Sequence, residues 1–252
     1  MISLRRGPAI GLAMQAAVLA SVASAVGLSL GAWIVGLACG VVTAVALSRG
    51  LDRSGAARLG PADWITLTRA TLIGAVAGLV AQSISGAAPV PMLIGLSSVA
   101  LVLDAVDGQV ARRTGSVSEL GARFDMEADA FLILALSVYV SGELGWWVLL
   151  IGAARYLFVA FAWVAPWMRR PLPYRSWRKV VAAAQGIVLT VAASGVLPGR
   201  ASTLVVLVAL AMLAESFGRD VRWLYRRRSE PLPGASRHAL GAAVPSATGE
   251  TT

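Results

Sequence analysis

The chain has 252 residues, of which 57% are hydrophobic and 14% charged, and its formal net charge at pH 7 is +9. Apolar content this high excludes an ordinary soluble domain and indicates a polytopic α-helical membrane protein. A single cysteine excludes a disulfide framework, and a single histidine leaves almost nothing for histidine catalysis or a zinc site. The basic residues follow membrane topology and form no soluble basic domain, so we expect no nucleic-acid partner.

Apolar segments along the chain predict eight membrane-spanning helices, since a spanning helix requires roughly 20 residues. They lie near 8–26, 28–48, 63–85, 88–111, 119–141, 145–166, 180–197 and 202–222. The connections are short, so we expect successive helices to be antiparallel neighbours. The predicted fold is an all-α, polytopic membrane helical bundle, with a six-helix core over 63–222 and two extra N-terminal transmembrane helices within 1–48.

The segments outside the core have their own signatures. Residues 1–25 have a basic start, an apolar middle and an Ala-Ser-Ala end, which describe a signal peptide as well as a helix. We favour an uncleaved helix because the next span follows almost at once. Residues 49–62 mix arginines with leucine and alanine, which predicts an interfacial amphipathic segment. Residues 223–252 are first basic and then rich in Pro, Gly, Ser and Thr, which predicts a disordered cytoplasmic tail.

Arginine and lysine accumulate at alternate ends of the predicted spans. They precede the first span and follow the second, fourth, sixth and eighth. Of the connections at the other ends of the spans, only the one that contains Arg200 is basic. Cytoplasmic connections carry the excess of such residues. The sequence therefore predicts an integral protein of the cell membrane with both termini in the cytoplasm.

Four aspartates occupy the fourth and fifth predicted spans. Asp104 and Asp107 are three residues apart, and Asp125 and Asp129 are four apart, so each pair lies on one helix face. One intramembrane aspartate can be explained by capping or an interhelical hydrogen bond, at a cost of roughly 2.5–3.5 kcal/mol. Four on two neighbouring helices favour a metal site, because converging carboxylates cannot all stay ionised without a cation. Oxygen-only ligands suit Mg²⁺, Mn²⁺ or Ca²⁺.

Small residues continue the same two faces. Gly108 and Ala111 follow Asp104 and Asp107, and Gly121 precedes Asp125, so there is room beside the metals for a flat or bulky group. Arg112, at the cytoplasmic rim with Arg113, supplies positive charge for a phosphate. The predicted site lies just below the cytoplasmic surface and faces the cytoplasm.

The full spacing resembles the signature of the CDP-alcohol phosphotransferase (CDP-alcohol phosphatidyltransferase) family: Asp104-x2-Asp107-Gly108-x2-Ala111-Arg112-x8-Gly121-x3-Asp125-x3-Asp129. The resemblance covers the six spans from about 63 to 222. It implies an enzyme of phospholipid synthesis that transfers a substituted phosphate from a CDP-alcohol, usually CDP-diacylglycerol, to an alcohol hydroxyl and releases CMP. Members are often dimeric, so a homodimer is among the expected partners, beside the lipid donor, the small alcohol acceptor and membrane lipids.

The resemblance also implies roles for these residues. Asp104, Asp107 and Asp125 correspond to the principal ligands of two divalent ions, Mg²⁺ or Mn²⁺, and Asp129 to the catalytic base in contact with a metal. By the same correspondence, the CDP-binding positions are Gly108, Ala111, Arg112 and Gly121.

The sequence departs from the family pattern at two places. Members often begin the first core helix with Pro-Asn-x-x-Thr, whereas this chain has "PADWITLTR" at 61–69, with Asp63 near the usual asparagine. Many also carry a Gly-Lys-x-Lys-Thr run before a later helix. Here "SWRKVVAAAQG" at 176–186 keeps Lys179 but has no second lysine.

Arg155 lies in the middle of a predicted span, where a lone cation is costly and is expected to have a partner. One interpretation is a structural ion pair, with Glu215 of the last span as a candidate partner. The other is an anion pocket, in which Arg155, Arg175, Arg178 and Lys179 bind the phosphate of an acceptor such as glycerol 3-phosphate or inositol phosphate. For the last three residues, the ordinary cytoplasmic excess of basic residues is an alternative explanation.

Two other functions are compatible with intramembrane aspartates. A Mg²⁺-dependent membrane prenyltransferase also binds a pyrophosphate, but its two acidic motifs lie far apart in the chain and lack the Gly-x2-Ala-Arg element. A divalent-cation carrier requires a polar path through both leaflets, whereas these acids lie on one side only. We therefore favour the phosphotransferase.

Overall fold

The computed structural model describes residues 6–54, 61–86, 89–114, 119–170, 172–173 and 176–228. The side chains of 6, 51–54, 61–63, 107–114, 119–120, 122–123 and 176 lie outside that description. The described residues form eight α-helices and no strand. The all-α helical bundle predicted from the apolar segments is confirmed.

Each predicted span corresponds to one helix. The helices are α1 (Arg6–Val26), α2 (Leu30–Ser54), α3 (Pro61–Ser85), α4 (Val90–Thr114), α5 (Glu119–Leu144), α6 (Leu149–Val164), α7 (Ser176–Ala193) and α8 (Gly199–Arg226). Two short 3₁₀ turns, Trp146–Val148 and Pro166–Arg169, flank α6.

Helix boundaries differ from the prediction mainly at the charged ends. The second helix continues to Ser54, so the first part of the expected interfacial segment extends α2, and residues 55–60 lie outside the described residues. Likewise α8 continues to Arg226, and the tail from 229 lies outside them. Apolar content predicts the part of a helix that spans the membrane and misses the charged turns beyond it, because a helix can project beyond the hydrocarbon. The proposed division into domains stays a prediction.

Glycines with positive φ terminate two of the helices. Gly27 (φ 69°) follows α1, and Gly195 (φ 67°) follows α7. Glycine adopts this left-handed conformation without steric cost, which is why it commonly ends a helix. Both turns are tight, so α1 and α2, and likewise α7 and α8, pack as neighbouring pairs.

Among the described residues, five helical segments are long and apolar enough to cross a membrane: Gly7–Val26, Leu30–Gly50, Trp64–Ser85, Trp146–Val164 and Gly199–Arg226. The apolar part of α4, Val90–Val106, is shorter. In the apolar stretch of α3, 72% of the residues are buried inside the protein, against 17–28% in the other four stretches. The third helix is therefore the central one of these five, and the other four expose much of their apolar surface.

The two N-terminal helices pack against α3 through glycines. The side chain of Gln15 on α1 is buried beside two glycines. A Cβ added to Gly40 of α2 would lie 2.7 Å from Gln15 Cγ, and a Cβ added to Gly74 of α3 would lie 2.6 Å from Gln15 Oε1. A Cβ on Gly78 would lie 2.9 Å from the backbone oxygen of Ala32. Small residues let membrane helices approach closely. The extra helices therefore brace the central helix along its length.

Gly152 makes the closest contact between α5 and α6. A Cβ added there would lie 2.6 Å from Leu134 Cα and 3.0 Å from Ser137 Cβ. Because the first of these atoms belongs to the backbone of α5, a side-chain rotation cannot relieve the overlap.

We expect Gly152→Ala to lower the free energy of unfolding by about 1–3 kcal/mol, since α6 must move away from α5. Thermal unfolding in detergent measures this change. Gly95→Ala on α4 is the matched control, because no atom lies within 4 Å of its added Cβ. The control variant should be as stable as the parent or slightly more so, and equal losses in the two variants would contradict the packing described.

Candidate active site

Three of the four predicted aspartates converge at one end of the central helices. Asp104 projects from α4, and Asp125 and Asp129 project from successive turns of α5. One carboxylate oxygen from each lies within 4.8 Å of the others. We call these three side chains the aspartate cluster. Their side chains are 32–40% exposed, so the cluster is accessible from one side.

The aspartate cluster surrounds the guanidinium group of Arg69 on α3. Nη1 of Arg69 lies 2.5 Å from Asp104 Oδ1, and Nη2 lies 2.5 Å from Asp125 Oδ1 and 3.2 Å from Asp129 Oδ1. Nη2 also donates a hydrogen bond to the backbone oxygen of Asp125 at 3.0 Å. The Arg69 side chain is 1% exposed. Because a guanidinium presents its donors in a rigid fork, this one group fixes all three carboxylates relative to α3.

Arg69 is the site residue that the sequence argument missed. It lies within "WITLTRATLIG" in the third apolar segment. It is an isolated cation in that segment, just as Arg155 is in the sixth. A charged residue in a spanning segment is expected to face a partner inside the bundle. The same criterion that singled out Arg155 therefore also singles out Arg69, although it does not identify the partners of either arginine.

The charges of the site are unbalanced. Among the described side chains of the cluster, one guanidinium faces three carboxylates. Asp125 Oδ1 is buried, and Arg69 Nη2 lies 2.5 Å from it. Carboxylate oxygens are the ligands that Mg²⁺ and Mn²⁺ prefer. An excess of negative charge and three converging hard ligands both fit a divalent cation.

The remaining residues of the predicted motif lie on the same two helices. Asp107, Gly108, Ala111 and Arg112 fall within α4, with their side chains outside the described residues. The helix is continuous through Thr114, so its register places Asp107, Gly108 and Ala111 on the face of Asp104. Gly121 lies one turn before Asp125 on α5.

Arg155 forms its ion pair with Glu127, not with Glu215 as the sequence suggested. Nη2 of Arg155 lies 2.5 Å from Glu127 Oε1. The suggested partner Glu215 instead pairs with Arg219 and accepts a hydrogen bond from Trp177 Nε1 at 3.3 Å. The physical reason is that α6 packs on α5, and Glu127 points from α5 toward α6 and away from the aspartate cluster.

The other predicted acceptor residues are on or before α7. Arg178 Nε lies 3.1 Å from Asp220 Oδ2 on α8, and Nη2 donates to the backbone oxygen of Pro173. Lys179 is exposed on α7, and Arg175 lies outside the described residues. The structure thus gives Arg178 a structural partner, and it does not bring Arg178 into contact with the aspartate cluster.

Comparison with known families identifies the family of the chain. The model of the CDP-alcohol phosphatidyltransferase family matches residues 59–217, which include α3 to α7 and most of α8. The chain belongs to this family. It is thus an integral-membrane transferase of phosphatidyl-type, substituted phosphate groups, from a family that uses divalent metal. No curated protein and no solved structure matches the chain.

Replacing Arg69 with leucine should destabilise the protein by about 3 kcal/mol, since removing one partner of a buried ion pair leaves the others uncompensated. Thermal unfolding in detergent provides the measurement. Arg155→Leu is the matched control: its ion pair is more exposed and should be worth at most about 1 kcal/mol. Equal stability changes in the two variants would show that Arg69 does not hold the cluster.

Proposed function

We propose that the protein transfers the phosphatidyl group of CDP-diacylglycerol to the hydroxyl of a small alcohol, with release of CMP. The observation that carries the proposal is the convergence of Asp104, Asp125 and Asp129 around Arg69, at the spacing of the family signature. The partial exposure of the three carboxylates supports a site where a lipid donor can meet a water-soluble acceptor.

In this proposal, the metal ligands are the four aspartates of the motif. Asp104, Asp107, Asp125 and Asp129 would hold two Mg²⁺ or Mn²⁺ ions. Such ions, when bound, stabilise negative charge on a pyrophosphate as its phosphoanhydride bond breaks. Gly108, Ala111 and Gly121 would lie against the cytidine, and Arg112 near the phosphates.

The proton transfer falls to Asp129. The acceptor oxygen forms a bond to the phosphorus of the phosphatidyl group, the bond to the CMP oxygen breaks, and the acceptor proton passes to a base. Only carboxylates are available for that role, and Asp129 lies one turn deeper on α5 than Asp125. Arg69 orients Asp129 through the contact at 3.2 Å.

Incubating purified protein with CDP-diacylglycerol and Mg²⁺ or Mn²⁺ tests the reaction. We expect CMP release with one acceptor of a panel of glycerol 3-phosphate, inositol 1-phosphate, inositol, serine and a phospholipid alcohol. Asp129→Asn should lower the rate by roughly 100-fold or more, as loss of a general base does. The matched control is Asp52→Asn, which changes a residue of α2 that is not part of the predicted site. It should leave the rate unchanged.

Absence of both CMP release and donor binding would overturn the donor assignment. Consumption of a prenyl diphosphate instead would favour a prenyltransferase, and metal flux into proteoliposomes would favour a cation carrier.

For the acceptor, we propose an anionic alcohol such as glycerol 3-phosphate or inositol phosphate, bound by Arg155 with Arg175, Arg178 and Lys179. The positive charge of Arg155 acts on Asp129 of the aspartate cluster, which supports an anion-binding role for Arg155 close to the site. The Glu127 side chain is 56% exposed, so a phosphate can replace it on Arg155 with little loss of buried contact.

Variants of Arg155 and Glu127 test the acceptor, because they should change the acceptor KM in opposite directions. We expect Arg155→Ala to raise the KM for a phosphorylated acceptor by roughly 10-fold, the effect of losing one charged hydrogen bond. Glu127→Gln should lower that KM, because it removes the carboxylate that competes with the phosphate. The KM for CDP-diacylglycerol is the internal control. An acceptor KM that does not respond to Arg155→Ala would exclude this pocket.

The alternation of basic connections supports an orientation with both termini and the site on the cytoplasmic side. A homodimer remains the proposed assembly, on the resemblance alone.

A further inference from the structure

The last two turns of α8 carry a concentration of arginines beyond the segment that matches the family. Arg219, Arg222 and Arg226 are spaced at i, i+3 and i+7, so they share one helix face. Together with Trp223 they line a cavity of about 410 Å³. We call this feature the α8 arginine cavity. It lies outside the aspartate cluster, and none of its four lining residues has a place in the proposed reaction.

The positive charge of the α8 arginine cavity is only partly neutralised. The two carboxylates on this part of the helix are engaged: Glu215 pairs with Arg219, and Asp220 pairs with Arg178 of α7. Among the described residues, no carboxylate lies within ion-pair distance of Arg222 or Arg226. Both arginines are exposed. Their guanidinium groups are suited to bind a phosphate through two parallel hydrogen bonds.

The position of the cavity along α8 places it at the depth of lipid headgroups. The helix has 28 residues, and at 1.5 Å per residue it is about 42 Å long, whereas the hydrocarbon of a bilayer is about 30 Å thick. Leu204, Leu207 and Val208 are exposed on its apolar part, which faces lipid. The arginine-rich turns at its C-terminus therefore project out of the hydrocarbon into the interface.

Aromatic residues mark the same interface. The guanidinium of Arg227 lies 4.5 Å from the centroid of the Trp223 ring, and that of Arg228 lies 3.9 Å from the Tyr225 ring. Tyr225 also packs edge-on against Trp167 of the 3₁₀ turn after α6, at 5.8 Å between centroids. Tryptophan and tyrosine concentrate at the membrane–water boundary. These contacts hold the end of α8 in place beside the headgroups.

We propose that the α8 arginine cavity binds the headgroup of an anionic phospholipid from the surrounding leaflet. The phosphate lies between Arg222 and Arg226, and the acyl chains lie against the exposed apolar side chains of α8. A lipid fits better than a soluble anion, because the cavity opens at the depth where lipid phosphates are concentrated and adjoins a lipid-facing surface. This inference is independent of the proposed reaction.

Native mass spectrometry of the purified protein, titrated with phosphatidylglycerol or with phosphatidylcholine, tests the proposal. We expect the protein to retain phosphatidylglycerol in preference. The double variant Arg222→Gln/Arg226→Gln should bind it roughly 25-fold more weakly, taking about 5-fold for each arginine at an anionic surface. Arg222→Lys/Arg226→Lys should be intermediate, since it keeps the charge and loses the paired donors.

The matched control is Arg49→Gln, which removes an exposed arginine from the end of α2, on the same side of the membrane if each intervening helix spans it. It should leave lipid retention unchanged. Thermal unfolding of each variant checks that the fold is kept.

Three results would overturn the proposal. These are equal retention of the two lipids, equal weakening by Arg49→Gln and by the double variant, and displacement of phosphatidylglycerol by inorganic phosphate at similar concentration. The last result would identify the cavity as a site for a soluble anion.

Discussion

The buried guanidinium of Arg69 is the interaction on which the arrangement of the site depends. A charge removed from water in a membrane bundle is tolerated only where opposite charges and hydrogen bonds surround it. Here the surrounding groups are carboxylates from α4 and α5, so one side chain of α3 joins three helices. Each aspartate, in turn, would be costly at its position without that cation.

The packing around α3 gives this interaction its rigidity. The central helix is buried on most sides, with α1 and α2 against one surface and α4 and α5 against another. Close contacts at Gly74 and Gly78 leave no room for α3 to shift toward the N-terminal pair. A guanidinium on so constrained a helix holds its carboxylates in one geometry, as a site built on rigid elements requires. The N-terminal helices, which lie outside the family match, thereby constrain the helix that carries Arg69.

Other charges of the bundle follow the same rule at its periphery. Arg155 meets Glu127, and Arg178 meets Asp220, so charges on α6 and α7 are neutralised by neighbouring helices. The arginines at the end of α8 differ, because they outnumber the nearby carboxylates among the described residues. The described residues thus form three electrostatic environments: a buried cation among acids, ion pairs between neighbouring helices, and an excess of positive charge at the end of α8.

The sequence by itself determined the class of fold, the order of the eight helices and the four aspartates of the motif. It could do so because hydrophobic length and helical spacing are local properties, and the signature spans only 26 residues of two consecutive helices, 104–129. Three decisions came only from the tertiary structure: that α3 is central, that Arg69 is the cation of the aspartate cluster, and that Glu127 is the partner of Arg155. Each depends on which helices pack together and how they are rotated about their axes. Those quantities follow from side-chain contacts between residues distant in the chain, such as Arg69 and Asp125, and no local pattern encodes them.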